Sequence, residues 1–287
     1  MDKVTLGWIN GFIGMLIFSA SLPATRMAVL EFDPILLTSA RATIAGLLGG
    51  GLLFIYRVAR PSSADLLPLL ITAAGVVVGF PLLTALALKQ VTSAHSIVFT
   101  GLLPLSTAIF GVIRGNERPR PTFWIFSCLG SACVVGYALA QGGSATLLGD
   151  ALMLAAIIVC GLGYAEGAIL SRRLGGWQVI SWALVVSLPF MGLATAILWP
   201  TNLASVPLSG WAGLFYVSVF SMLIGFFFWY RGLALGGIAA VGQLQLLQPF
   251  FGLGLAALLL HEHVSWLMLM ATIGVVASVA GARRFAR

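Results

Sequence analysis

Three ionisable side chains, Arg41, His95 and Glu166, lie in or beside long apolar runs. An ionisable group inside a bilayer is costly, so it normally has a task or a partner. Arg41 suits contact with a substrate carboxylate. Its structural alternative is a pair with Glu31 or Asp33, or bonds to backbone carbonyls. Glu166 suits the carrying of a coupling proton. It could equally pair with Arg172, Arg173 or a cationic group of the substrate. Histidine is the side chain whose charge changes near neutral pH, which makes His95 a second coupling candidate. A solvated histidine at a helix start is the plainer reading.

Gln243, Gln245 and Gln248 form a polar cluster in an apolar run. Gln245 and Gln248, three apart, share a helical face, whereas Gln243 points away from Gln245. A glutamine amide both donates and accepts. Gln245 and Gln248 could therefore hold both ends of a zwitterion without a buried charge. Tyr164, Phe80 and Phe99 could supply an aromatic wall for a flat apolar side chain, or simple packing. Pro81 and Pro249 are the hinge candidates, because proline removes a helical hydrogen bond and permits a kink.

Other chemistries lack residues. His261, Glu262 and His263 are adjacent and do not converge on one ion, and no further ligands are evident. Cys128, Cys133 and Cys160 sit in apolar runs and read as packing residues. The chain has no phosphate-binding Walker loop, nucleophile elbow or His-Glu-x-x-His motif. No catalytic residue, metal or cofactor is therefore expected.

Helices must position these groups. Of 287 residues, 60% are hydrophobic and 8% charged, with a mean hydropathy of +1.07; a soluble core could not bury so much apolar surface. The apolar runs are about 20 residues long, enough to cross a bilayer as a helix. Ten spans are expected, at about 6–28, 33–56, 65–88, 91–113, 122–140, 149–171, 177–199, 209–230, 237–259 and 265–283. The net charge of +7 does not form a basic stripe, so no nucleic-acid partner is expected. With the N-terminus inside, twelve basic residues fall on the cytoplasmic side, from Lys3 to Arg287, against Lys89 and Arg26 outside. Both termini should then be cytoplasmic in a multi-pass protein of the cell (inner) membrane. SASLPA near residue 22 mimics a signal-peptidase site, but nine spans follow, so the first span is read as retained.

Glu117 and Glu262 each stand 13 residues after a proline, Pro104 and Pro249, in LLPLSTAIFGVIRGNE and LLQPFFGLGLAALLLHE. Such an echo marks an internal repeat. Five helices per half is an odd number, so the second half must enter the membrane inverted. The all-α fold expected is two inverted five-helix repeats, 1–143 and 144–287. The repeated Pro…Glu signature, Arg41 in the second span, the stretch GDALMLAAIIVCGLGYAEGAILSRR at 149–173 and its closing arginine pair resemble the drug/metabolite transporter superfamily, EamA type. Within it the chain looks most like bacterial exporters of amino acids, aromatic ones in particular.

The resemblance implies a cavity lined mainly by helices 1, 3, 4, 6, 8 and 9, with helices 5 and 10 peripheral. It implies alternating access by a functional monomer whose partners are a small-molecule substrate and the lipid bilayer. A broad drug exporter or a sugar-phosphate or nucleotide-sugar carrier is the alternative. Phosphates would want several converging cations, and the sequence offers mainly Arg41. A membrane enzyme would need a clustered acid, base or metal set, and none is seen.

Overall fold

A computed structural model describes residues 2–116, 118, 120–140, 147–199 and 206–284. Glu117, one member of the repeated signature, lies outside them, as do Arg287 and the 143/144 boundary between the expected repeats. The described chain is all helix, in ten units. They are α1 (Lys3–Val29), α2 (Pro34–Ile55), α3 (Ser63–Gln90), α4 (Ser93–Gly115), α5 (Pro121–Ala140), α6 (Leu147–Leu174), α7 (Gly176–Leu198), α8 (Leu208–Gly236), α9 (Ile238–Leu260) and α10 (Trp266–Arg284). Eight of them, all but α5 and α10, are long and apolar enough to cross a membrane; the apolar stretches of those two, Pro121–Gly130 and Trp266–Ser278, are shorter among the described residues.

The helix starts follow from local chemistry. Asp2 accepts a hydrogen bond from the Thr5 amide, and Asp33 accepts one from Ile35 directly after which Pro34 opens α2. Ser62 and Asp65 form a capping box at the start of α3, and Thr92 accepts from the His95 amide to open α4. Each cap satisfies an amide that a helix end leaves unpaired. Apolar side chains such as Phe54, Phe190 and Leu258 remain exposed on the outside of the bundle, as a lipid-facing surface requires.

Several helices are interrupted. A turn at Gly101–Leu102 divides α4, and a 3-10 stretch, Gln243–Leu247, divides α9. Pro104 and Pro249 stand in the first turn after these interruptions. Both helices end on a left-handed residue, Asn116 at φ 55° and His261 at φ 51°. Each of these pairs is 145 residues apart. π-helical stretches interrupt α3 at Ala73–Gly79 and α8 at Tyr216–Ile224.

The helices pack in a definite order. Helix α2 runs along α7, α1 along α8, α6 along both α3 and α4, and α5 against α10. A Cβ on Gly7 would lie 2.6 Å from the Gly236 nitrogen, and one on Gly232 would lie 2.6 Å from the Gly11 nitrogen. Helices α1 and α8 therefore touch backbone to backbone, the usual way of bringing membrane helices close.

Side-chain contacts sort the helix ends into two faces. Arg173 of α6 pairs with Asp65 at the start of α3, and Tyr56 after α2 meets Trp177 at the start of α7. These ends share the N-terminal face. On the opposite face, Phe32 before α2 meets Trp211 of α8, and His95 of α4 meets Asp150 of α6.

Candidate functional site

The interruptions of α4 and α9 lie beside a central cavity. Its wall is built by Phe18, Ser21 and Leu22 of α1, Arg41 of α2, Val76, Phe80 and Pro81 of α3, Leu103 of α4, Tyr164 of α6, Ser221 and Phe226 of α8, and Gln248 of α9. The six helices implied by the resemblance all contribute, and α2 joins them through Arg41. The free volume inside is about 20 Å³, room for about one water molecule. An amino acid does not fit this conformation.

Arg41 is 5% exposed. Its Nη2 donates to the Ser221 hydroxyl at 3.4 Å, Ser221 in turn bonds Ser21 at 2.8 Å, and its Nε has no partner. The ion pairs among the described residues are His95–Asp150, Arg114–Glu166 and Arg173–Asp65; none involves Arg41. Asp33 is instead spent on capping α2. A buried guanidinium with one long hydrogen bond and no counter-charge is energetically incomplete. An anion in the cavity would complete it.

Gln248 shares the wall. Its Nε2 donates to the Phe18 carbonyl at 3.4 Å, while its Oε1 has no partner. An unpartnered acceptor suits an ammonium group. Opposite these polar groups stand rings. Phe18 stacks on Tyr164 at 6.5 Å and meets Phe226 edge-on at 5.0 Å, and Tyr164 meets Phe226 at 5.9 Å.

The remaining sequence candidates lie elsewhere. Gln245 is fully buried beside Tyr164 but does not line the cavity, and both amide atoms of Gln243 are buried without a hydrogen bond. Phe99 is buried away from the cavity and packs against the His95 ring at 5.4 Å. His95 is not a solvated helix-start residue. It is 5% exposed and held between the Asp150 carboxylate at 2.7 Å and the Tyr137 hydroxyl at 3.0 Å. Glu166 is buried and paired with Arg114 of α4, not with Arg172 or Arg173. Pro249 is buried next to Gln248, at the end of the 3-10 stretch. No metal-binding cluster occurs among the described residues.

Sequence reasoning missed Ser21, Ser221, Asp150 and Tyr137. Ser21 and Ser221 are 200 residues apart, and serines in apolar helices usually bond their own backbone, which leaves no spacing to read. Asp150 stood within the quoted 149–173 stretch, four residues into its helix; an acid at a helix start passes as a dipole partner.

The cavity is shut toward both faces. Toward the N-terminal face, the Tyr230 hydroxyl of α8 donates to the Gly163 carbonyl of α6 at 3.0 Å, and its ring fills the space beside Gly167. Beyond it a cleft of about 450 Å³ opens among α1, α6, α7 and α8, lined by Asn10, Ser171, Gln178 and Arg231. On the opposite face, Arg26 of α1 donates to the Leu88 carbonyl of α3. There Glu262 also accepts from the Ser93 amide at 3.1 Å, the Ser93 hydroxyl at 2.7 Å and the Ala94 amide at 2.7 Å.

The EamA-like transporter family matches this chain over residues 5–139 and again over 147–284. The "Uncharacterized transporter YdeK" of Bacillus subtilis (strain 168) is 66% identical over 287 residues, covering 100% of both chains. An "Uncharacterized transporter" of Archaeoglobus fulgidus is 24% identical over 274 residues, covering 93% of this chain and 92% of the relative. A crystal structure that covers 96% of this chain and is itself covered to 97% superposes with a TM-score of 0.72 at 20% identity, which shows a shared fold. The chain belongs to the EamA-like transporter family, within the drug/metabolite transporter superfamily, and is a multi-pass protein of the cell membrane.

Proposed function

We propose that this EamA-like transporter is a secondary transporter that exports small amphipathic metabolites by alternating access, amino acids foremost and aromatic amino acids first among them. One observation carries the substrate class: Arg41 is buried without a counter-charge in a closed central cavity walled by aromatic rings. A carboxylate completes the Arg41–Ser21–Ser221 group, an ammonium meets the free Gln248 oxygen, and a flat side chain lies against Phe18, Phe80, Tyr164 and Phe226. Arg41 is the one cation lining this cavity among the described residues, too few for a phosphate.

The same reading takes the chain as ten membrane helices in two inverted five-helix repeats. The double family match and the features 145 residues apart support it. The basic residues support cytoplasmic termini, which makes the N-terminal face cytoplasmic and the opposite face external. Export by a monomer then needs the two sides of the cavity to open in turn. In this reading α3, α4 and α6 move as one unit and α1, α8 and α9 as the other, with hinges at Pro81 and Pro249; the close packing of α6 on α3 and α4 and of α1 on α8 supports it.

Proton coupling is assigned to His95 and Glu166. His95 faces Asp150 of α6 and Tyr137 of α5, and Glu262 caps the start of its own helix; Glu166 faces Arg114 of α4.

Ligand-dependent thermal stabilisation of the purified protein tests the substrate class. Phenylalanine or tryptophan should raise Tm, and the corresponding esters, which lack the carboxylate, should not. Equal stabilisation by acid and ester would remove Arg41 from substrate recognition.

A further inference from the structure

Glu262 lies beyond the end of α9, outside the cavity, the coupling groups and any metal site. Its carboxylate nevertheless holds three donors of the α4 N-terminus, 168 and 169 residues away in sequence. A carboxylate on the exposed amides of a helix N-terminus is a charge-assisted contact, strengthened by the helix dipole. Together with Arg26 on the Leu88 carbonyl, it ties α9 to α4 and α1 to α3, helices that the alternating-access reading assigns to opposite moving units. Both ties lie on the face opposite the N-terminus. By contrast the three ion pairs, His95–Asp150, Arg114–Glu166 and Arg173–Asp65, all join α6 to α3 or α4 on the same side. If the two units part toward the opposite face, those three stay intact and the Glu262 and Arg26 contacts break.

We infer that Glu262 is a gating residue for transport: its contact with Ser93 and Ala94 holds the cavity shut toward the face opposite the N-terminus, and its release permits opening there. Arg26 is its weaker companion, since it holds one carbonyl. The arrangement has a chemical advantage for a gate. The donors are backbone amides and a hydroxyl in the first turn of α4, buried in this conformation but next to exposed Thr92 and half-buried Glu262, so water can replace the carboxylate when the contact breaks and no charge is stranded in lipid.

This inference rests on the alternating-access reading, but its test needs no substrate. Leu22→Cys, in the cavity wall, is made in a chain whose Cys128, Cys133 and Cys160 are replaced by serine. Labelling by a membrane-impermeant thiol reagent is then timed in sealed vesicles from each face. A separate His263→Cys chain, labelled in intact cells, reports which face is external and so tests the topology independently.

Adding Glu262→Ala should speed labelling of Leu22→Cys from the His263 face by about tenfold, the scale expected when hydrogen bonds to a charged group disappear from one of two states. Labelling from the other face should slow or stay constant. Ser93→Ala, which removes only the hydroxyl contact, should shift both rates in the same direction by less. Should Glu262→Ala fail to accumulate, Ser93→Ala alone decides. Unchanged labelling from the His263 face, or equal acceleration from both faces, would overturn the gate and leave Glu262 as a structural cap.

Discussion

At the scale of single residues, Arg41 and His95 have opposite settings. Arg41 lacks a counter-charge, whereas His95 is held on both ring nitrogens. The difference predicts opposite mutational behaviour. Replacing a buried, uncompensated charge by an apolar side chain of similar length removes a desolvation cost. Arg41→Met should therefore leave the Tm of ligand-free protein unchanged or raised, while abolishing stabilisation by phenylalanine or tryptophan. A lower Tm without ligand would show that Arg41 is part of the scaffold.

His95→Gln should leave phenylalanine flux measurable and remove its dependence on a pH gradient, read in proteoliposomes with and without the gradient. Arg41, Gln248, Tyr164 and Phe80 were legible in the sequence as candidates because polar or aromatic groups stand out within apolar helices. That Gln245 and Phe99 do not line the cavity was not legible. Gln245 lies within the 3-10 stretch Gln243–Leu247, whose winding departs from the 3.6-residue period; Phe99 lies in regular helix, and its packing against the His95 ring is a tertiary choice.

At the scale of the elements, the interruptions are where the helices can bend. Proline in the first turn after a break removes no hydrogen bond that the break has not already lost. It therefore fixes the place of the bend at little cost. Pro249→Ala should allow α9 to wind continuously through Gln243–Leu247. The expected result is wild-type yield with transport reduced several-fold, measured as flux per mole of reconstituted protein. Full activity would remove the hinge role.

Close glycine contacts set the stiffness elsewhere. Gly232→Ala puts a methyl group 2.6 Å from the Gly11 backbone, whereas Gly192→Ala on α7 meets nothing within 4 Å. The first should lower Tm in detergent by several degrees. The second should be neutral, or stabilising by up to about 1 kcal/mol through helix propensity. Gly7 and Gly11 stand four residues apart, so the sequence places both on one face of α1, and that face was readable as a packing face. Its partner, α8, was not, because the choice of neighbour is made by three-dimensional fit between segments more than 200 residues apart.

At the scale of the whole molecule, most of the fold was readable before the structure. The apolar runs and their length imply a membrane bundle, and the observed helix bounds lie within a few residues of most expected spans. Among the described residues, eight of the ten expected spans are long and apolar enough to cross a membrane. The closed state was not readable, since it depends on contacts such as Tyr230–Gly163 and Glu262–Ser93 that join distant parts of the chain. With about 20 Å³ free in the cavity, a bound amino acid requires helix movement, so binding and opening are coupled.

The most direct test of the account is flux of labelled phenylalanine and tryptophan through purified protein in proteoliposomes, beside their methyl esters and the Arg41→Met variant. The account predicts saturable flux of the two acids by the wild type, none of the esters, and none by Arg41→Met despite normal insertion. Absence of acid flux from folded, inserted wild-type protein would contradict the substrate class. Equal flux by Arg41→Met would contradict the role given to the buried arginine.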